Sequence, residues 1–241
     1  MTISDNIIQV RQQISLAAQR AGRDPAGITL LAASKMNDAS RIREAFAAGI
    51  TVFGENRVQE MLEKNALGAY DGAHLHFIGH LQKNKARQIV GIAELIHSVD
   101  STALLALIAQ LAQKKGIVQD VLLEVNIGGE ASKSGFSPEE VPSALDFCEE
   151  LSGVHVRGLM AIPPVCSDLQ EILPYFAQMQ QLFVDIGGKK YDNSTMDFLS
   201  MGMSHDFSVA VEYGSNIIRI GSGIFGPRQY NPSADHTQQA Q

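Results

Sequence analysis

Residues 28–40 read ITLLAASKMNDAS. An apolar run ends on a lysine, and a polar segment able to start a helix follows at once. A continuous apolar run is the pattern of a strand covered on both faces, and an immediate helical return is how parallel strands are joined. The unit recurs along the chain. TVFGE (51–55) precedes a helical segment over 57–66, and LHFIGH (75–80) precedes one over 83–90. ELIHSVD (94–100) leads into STALLALIAQLAQKKG (101–116), and QDVLLEVN (119–126) into a helix over 137–151 with Ser137 as its cap and Pro138 at its first position. VHVRGLMAI (154–162) precedes a helix over 168–186, DFLSMGM (197–203) one over 204–213, and NIIRIGS (216–222) is the last strand. Ahead of the first strand, residues 4–21 form a helix that Ser4 or Asp5 can cap, with Ile7, Ile8, Val10, Ile14 and Leu16 as its apolar face. Eight strand–helix alternations predict an α/β chain folded as a single (β/α)8 TIM-type barrel, with a doubly wound open sheet as the alternative. No linker divides the sequence, so residues 1–230 are expected to be one domain and 231–241 a polar, frayed tail.

Composition narrows the function. Hydrophobic residues make up 45% of the 241, enough for a full core, and the net charge of −7 argues against a general nucleic-acid binder. Two cysteines, Cys148 and Cys166, form no spacing motif and fit a reducing cytoplasm. The N-terminus is amphipathic, without the apolar stretch of a signal peptide, and no run reaches membrane-spanning length.

A barrel of this kind carries its site at the C-terminal ends of the strands. There the strands deliver Ser34 and Lys35, Glu55, Asn56 and Arg57, Gly79 and His80, Ser98 and Asp100, and Asn126. The last three add Met160 and Pro163, then Ser200, Met201, Gly202 and Ser204, then Arg219, Gly221, Ser222 and Gly223. LSMGMS and RIGSGIFG are rich in Gly and Ser, which suit either tight turns or backbone and hydroxyl donors to an anion, and barrels often hold a phosphate after strands seven and eight. Lys35 is either a solvated side chain or an amine at the mouth of that pocket. Partly desolvated, such an amine is more readily neutral and can form a Schiff base with an aldehyde. An aldehyde that carries a phosphate is pyridoxal 5′-phosphate (PLP). Arg219 could then contact the pyridine nitrogen as a permanent cation and weaken the ring as an electron sink.

The motifs LLAASK (30–35), FGENRVQE (53–60), HFIGHLQKNK (76–85), SVDS (98–101), GLMAI (158–162), LSMGMSHD (199–206) and IIRIGSGIFG (217–226) run through nearly the whole chain. In these the chain resembles the YggS/PROSC (PLPBP) family of pyridoxal phosphate homeostasis proteins. The resemblance implies a barrel like the N-terminal domain of alanine racemase, with PLP as cofactor and Lys35 as its Schiff-base lysine. It further implies that Ser200, Met201, Gly221 and Ser222 hold the phosphate, that Arg219 faces the pyridine nitrogen, and that Asn56 lies beside the ring. Met36 and Asn37, and Gly223, depart locally from the family's pattern.

The resemblance also implies a protein that carries or buffers PLP, not an enzyme, with apo PLP-dependent enzymes as possible recipients; a cytoplasmic location and a monomeric state are expected. A racemase-like PLP enzyme is the alternative. Racemisation needs an acid and a base on opposite faces of the substrate carbon. Lys35 serves one face; the tyrosines at 70, 175, 191, 213 and 230 offer no clear partner, and the chain ends soon after strand eight. Three other features have bland readings. His74, His76 and His80 could hold a metal but suit a strand start and a mouth residue. Lys83, Lys85 and Arg87 suit a solvated helix face. Lys133 suits an exposed loop, or a second aldehyde acceptor at the same mouth.

Overall fold

The structure, a computed structural model, describes residues 1–166 and 168–227; the tail expected to fray lies outside the described residues. Eight parallel strands pair in chain order and close on themselves: β1 (Thr29–Ala33), β2 (Val52–Glu55), β3 (His74–Phe77), β4 (Leu95–Val99), β5 (Gln119–Val125), β6 (Val154–Ala161), β7 (Ser194–Ser200) and β8 (Ile217–Ile220). β1 pairs with β2 on one side and with β8 on the other, which makes the sheet a TIM barrel and rules out the open alternative. Helix α1 (Ile3–Arg20) precedes the barrel. The returns are α2 (Ala39–Ala47), α3 (Val58–Ala66), α4 (Lys83–Ile89), α5 (Thr102–Lys114), α6 (Val141–Glu149), α7 (Leu169–Gly187) and α8 (Phe207–Glu212), and a single turn, α9 (Ser222–Phe225), follows β8. Among the described residues no helix is long and apolar enough to cross a membrane.

The outer core fills the space between barrel and helices, where Phe53, Phe77 and Phe176 are fully buried. The barrel interior is narrower. It holds Leu31, Ala33, Ile78, Leu95, Leu122, Met160 and Ile217. Between β7 and β8 the ladder is short, with Ser200 opposite Ile217. Side chains complete it: Ser215 Oγ bonds the carbonyls of Leu199 and Met201, and Asn216 bonds Leu199 N–H and Asp197 C=O.

Several boundaries differ from the sequence expectation, each for a physical reason. Thr2, not Ser4 or Asp5, caps α1; its hydroxyl takes the Asp5 N–H while the Asp5 carboxylate takes the Thr2 N–H. Ile7, Val10 and Ile14 of α1 are buried, but Ile8 and Leu16 are exposed. Helix α6 begins at Val141, after a turn in which the Ser137 N–H donates to Glu140 Oε2. Starting at Pro138 would have put Pro142 inside the helix, where it lacks an N–H and clashes with the preceding turn. β7 stops at Ser200 because Gly202 turns the chain with φ +92, and a Cβ there would lie 2.5 Å from Ala210 Cβ.

Candidate cofactor-binding site

Lys35 stands in a tight turn at the end of β1. The Asn37 N–H donates to Ser34 C=O at 3.1 Å, and Met36 adopts φ 61, the left-handed region that a β-carbon disfavours. The turn is held from below. Met36 N–H donates to Glu60 Oε2 at 3.1 Å, and Lys64 Nζ donates to Ser34 C=O at 3.0 Å, to Glu55 Oε1 at 2.8 Å and to Glu60 Oε2 at 3.1 Å. Glu55 Oε1 also accepts from Ser34 Oγ and from Tyr70 Oη, each at 2.7 Å. Burial opposes ionisation of Glu60, yet the Met36 N–H and Lys64 outweigh it and bring its carboxyl below the usual value. Burial and the Glu55 charge push the Tyr70 phenol up, so it stays a donor. Lys35 itself is half-buried.

Arg219 reaches the same region from β8, whose Arg219 pairs with Leu31 of β1. It is 4% exposed. Its Nη1 donates to Ser200 C=O at 2.8 Å and Ser200 Oγ at 2.6 Å, and its Nη2 donates to Ala161 C=O at 2.9 Å. Among the described residues no carboxylate lies within ion-pair distance of it. Burial lowers its pKa to about 10, against the pull of Glu124 and Asp206, so it remains a cation at neutral pH. Burial raises Glu124 to about 7, with Asp100 adding to the rise.

A cleft of about 1200 Å³ opens at this end of the barrel and is lined by Lys35, Asn56, Ser204, Arg219, Gly221 and Ser222, among others. The Ser204 and Ser222 hydroxyls face each other at 3.3 Å, and Ser204 Oγ takes the Gly223 N–H at 3.3 Å. Asn56 Oδ1 is buried without a partner among the described residues. Gly79 lets the chain after β3 pass against Asn56: a Cβ there would lie 2.1 Å from the Asn56 carbonyl oxygen. Arg41 spans one wall, donating to Asn37 Oδ1 and to Phe225 C=O.

Of the seven residues expected at the site, Lys35, Asn56, Arg219, Gly221 and Ser222 share this cleft. Ser200 and Met201 are placed elsewhere. Ser200 Oγ lies inside the barrel between Arg219 and His97, and Met201 is fully buried in the outer core with its N–H on Ser215 Oγ. Ser204 takes the cleft position instead; the sequence offered both serines, and only the Gly202 turn distinguishes them. His74 and His80 flank opposite ends of β3, and His76 points inward. No cluster able to hold a metal occurs among the described residues. Lys133, on the loop after β5, is paired with Glu130 and donates to Pro163 C=O at 3.4 Å. Both cysteines are free thiols, Cys148 buried and Cys166 half-buried.

Residues 6–229 match the family defined by the alanine racemase N-terminal domain. A pyridoxal phosphate homeostasis protein of Aquifex aeolicus is 43% identical over 231 residues, which cover 95% of this chain and 100% of that protein. One of Pseudomonas aeruginosa is 41% identical over 233 residues, covering 97% and 99%. The solved structure of PipY of Synechococcus elongatus with PLP bound superposes with a TM-score of 0.81 at 34% identity, covering 93% of this chain and 100% of that one. This chain therefore belongs to the family of pyridoxal phosphate homeostasis proteins, built on the alanine racemase N-terminal domain.

Proposed function

We propose that this chain binds PLP in the cleft and keeps it as a releasable reserve, with Lys35 as the point of covalent attachment. The observation that carries the reading is the pairing of an amine and a carboxylate-free, buried guanidinium on adjoining strands, facing one cleft. The residues fit the group. Lys35 suits its aldehyde, Arg219 its ring nitrogen, and the Ser204 and Ser222 hydroxyls, with the backbone at Gly221, its phosphate. Asn56, whose Oδ1 lacks a partner among the described residues, lines the cleft and suits a place beside the ring. Ser200 acts indirectly by bonding Arg219, and Met201 by anchoring the strand end through Ser215. The names of the relatives and the ligand bound to PipY support the choice of ligand.

When bound, PLP would supply an electrophilic aldehyde carbon, suited to the chemistry of the Lys35 amine, and an electron-withdrawing ring. Arg219, a permanent cation, disfavours a proton on the ring nitrogen and so keeps that withdrawal weak. This favours holding over turnover, and the relatives are named for homeostasis and not for a reaction. The intended recipients are apo PLP enzymes.

The test is to mix PLP-loaded protein with an apo PLP enzyme in the presence of a trap for free PLP. Recovery of the enzyme's activity is expected. In parallel, deuterium exchange at the Cα of amino acids is followed by NMR. Exchange at rates of about 1 s⁻¹ or faster, those of ordinary enzymes, would overturn the holding role in favour of racemase-like chemistry.

A further inference from the structure

A string of polar groups crosses the barrel interior. Arg219 Nη1 donates to Ser200 Oγ at 2.6 Å, Ser200 Oγ lies 3.0 Å from His97 Nδ1, and His97 Nε2 lies 3.0 Å from His76 Nδ1. Arg219, Ser200, His97 and His76 are 4%, 0%, 0% and 8% exposed. One end of the string is at the cofactor cleft. The other end, His76, lines a separate pit of about 250 Å³ at the opposite mouth of the barrel, beside His74, Glu94, Asp120 and Arg157.

The direction of these hydrogen bonds follows from their chemistry. Arginine only donates, so Ser200 Oγ accepts from it. The serine hydrogen then needs an acceptor, and among the described residues its partner for this is His97 Nδ1. His97 therefore carries its proton on Nε2 and donates to His76 Nδ1, which leaves His76 with its own N–H at the pit. Every donor points away from the arginine. Both rings are neutral in this arrangement. Burial, with repulsion from His74, brings His76 to about 3, and burial, His76 and Arg219 hold His97 well below its ordinary value.

Two buried histidines in a lumen that also holds Leu31, Leu95, Leu122 and Ile217 carry a desolvation cost that aliphatic side chains would avoid. What they supply is orientation. A serine hydroxyl rotates freely unless its hydrogen is taken, and its lone pair faces Nη1 only when the hydrogen points the other way. We infer that His97, backed by His76, is a positioning residue for Arg219: it fixes the Ser200 hydroxyl and through it the place and direction of the guanidinium at the cleft. The inference rests on the reading that the cleft takes PLP with Arg219 at the ring nitrogen.

A double-mutant cycle tests it, with PLP as the probe and two readouts, the dissociation constant and the position of the visible absorption band across pH. His97→Leu is expected to weaken PLP binding about tenfold and to move the band, because a displaced arginine no longer fixes the ring nitrogen's protonation. In an Arg219→Gln background, His97→Leu should change affinity by no more than about twofold, whereas uncoupled sites would show the roughly tenfold loss in both backgrounds. His97→Gln, which keeps one donor and one acceptor, should restore most of the affinity and the band, and it carries the cycle if the leucine variant does not fold. An equal loss in both backgrounds, or no loss in the protein that retains Arg219, overturns the inference while leaving the cofactor reading intact. Failure of the unmodified protein to bind PLP, or indifference of its binding and band to Arg219→Gln, overturns the parent reading and this inference with it.

Discussion

Lys64 and Arg219 are both buried cations close to the cleft, and the fold surrounds them in opposite ways. Lys64, 8% exposed, meets two carboxylates, Glu55 at 2.8 Å and Glu60 at 3.1 Å, and a carbonyl. Its charge is neutralised within the protein, and the group as a whole braces the turn that carries Lys35. Arg219, 4% exposed, meets two carbonyls and a hydroxyl. Those partners orient a guanidinium without neutralising it. Glu124 and Asp206 influence its charge from a distance. A buried cation given counter-ions belongs to the scaffold; one given only neutral acceptors keeps its charge for whatever enters the cleft.

The largest expected effect comes from breaking the first arrangement. Lys64→Met leaves the buried Glu55 and the half-buried Glu60 without their counter-ion and should cost about 3–5 kcal/mol of unfolding free energy, read by chemical denaturation. Arg219→Met should show the reverse profile. It removes a desolvated charge that no carboxylate pairs with directly, so stability should shift by only about 1–1.5 kcal/mol while PLP affinity falls about a hundredfold. Similar stability losses in the two variants would erase the distinction.

Smaller effects locate the phosphate. Ser204→Ala and Ser222→Ala each remove a neutral donor to an anion, worth about 1.5–3 kcal/mol, so each should weaken PLP binding roughly ten- to a hundredfold without changing the Tm. Unchanged affinity in both would move the phosphate away from the β7 and β8 ends.

Much of the barrel was legible because its strands are buried on both faces and read as uninterrupted apolar runs, each ended by a helix start. The boundaries were less so. DFLSMGM (197–203) reads as one strand, since methionine suits strand and turn alike, and only the left-handed Gly202 ends β7 three residues early. That break decides which serine enters the lumen, Ser200, and which enters the cleft, Ser204. Lys35 and Arg219 were legible as strand-end residues. Their supports were not: Glu60 and Lys64 lie on α3, and His97 sits inside an apolar strand, so their partners are fixed only when the barrel closes. Ile8 and Leu16 misled because α1 packs on α8 and α9 with a stripe narrower than its apolar content.

Every role given to the cleft depends on Lys35 as the attachment point. The most direct measurement is borohydride reduction of the PLP-loaded protein followed by peptide mapping. A single stable pyridoxyl label on Lys35, lost in Lys35→Ala, is the result the account predicts. A label on Lys133 or any other lysine of the unmodified protein, or no label at all, would contradict it.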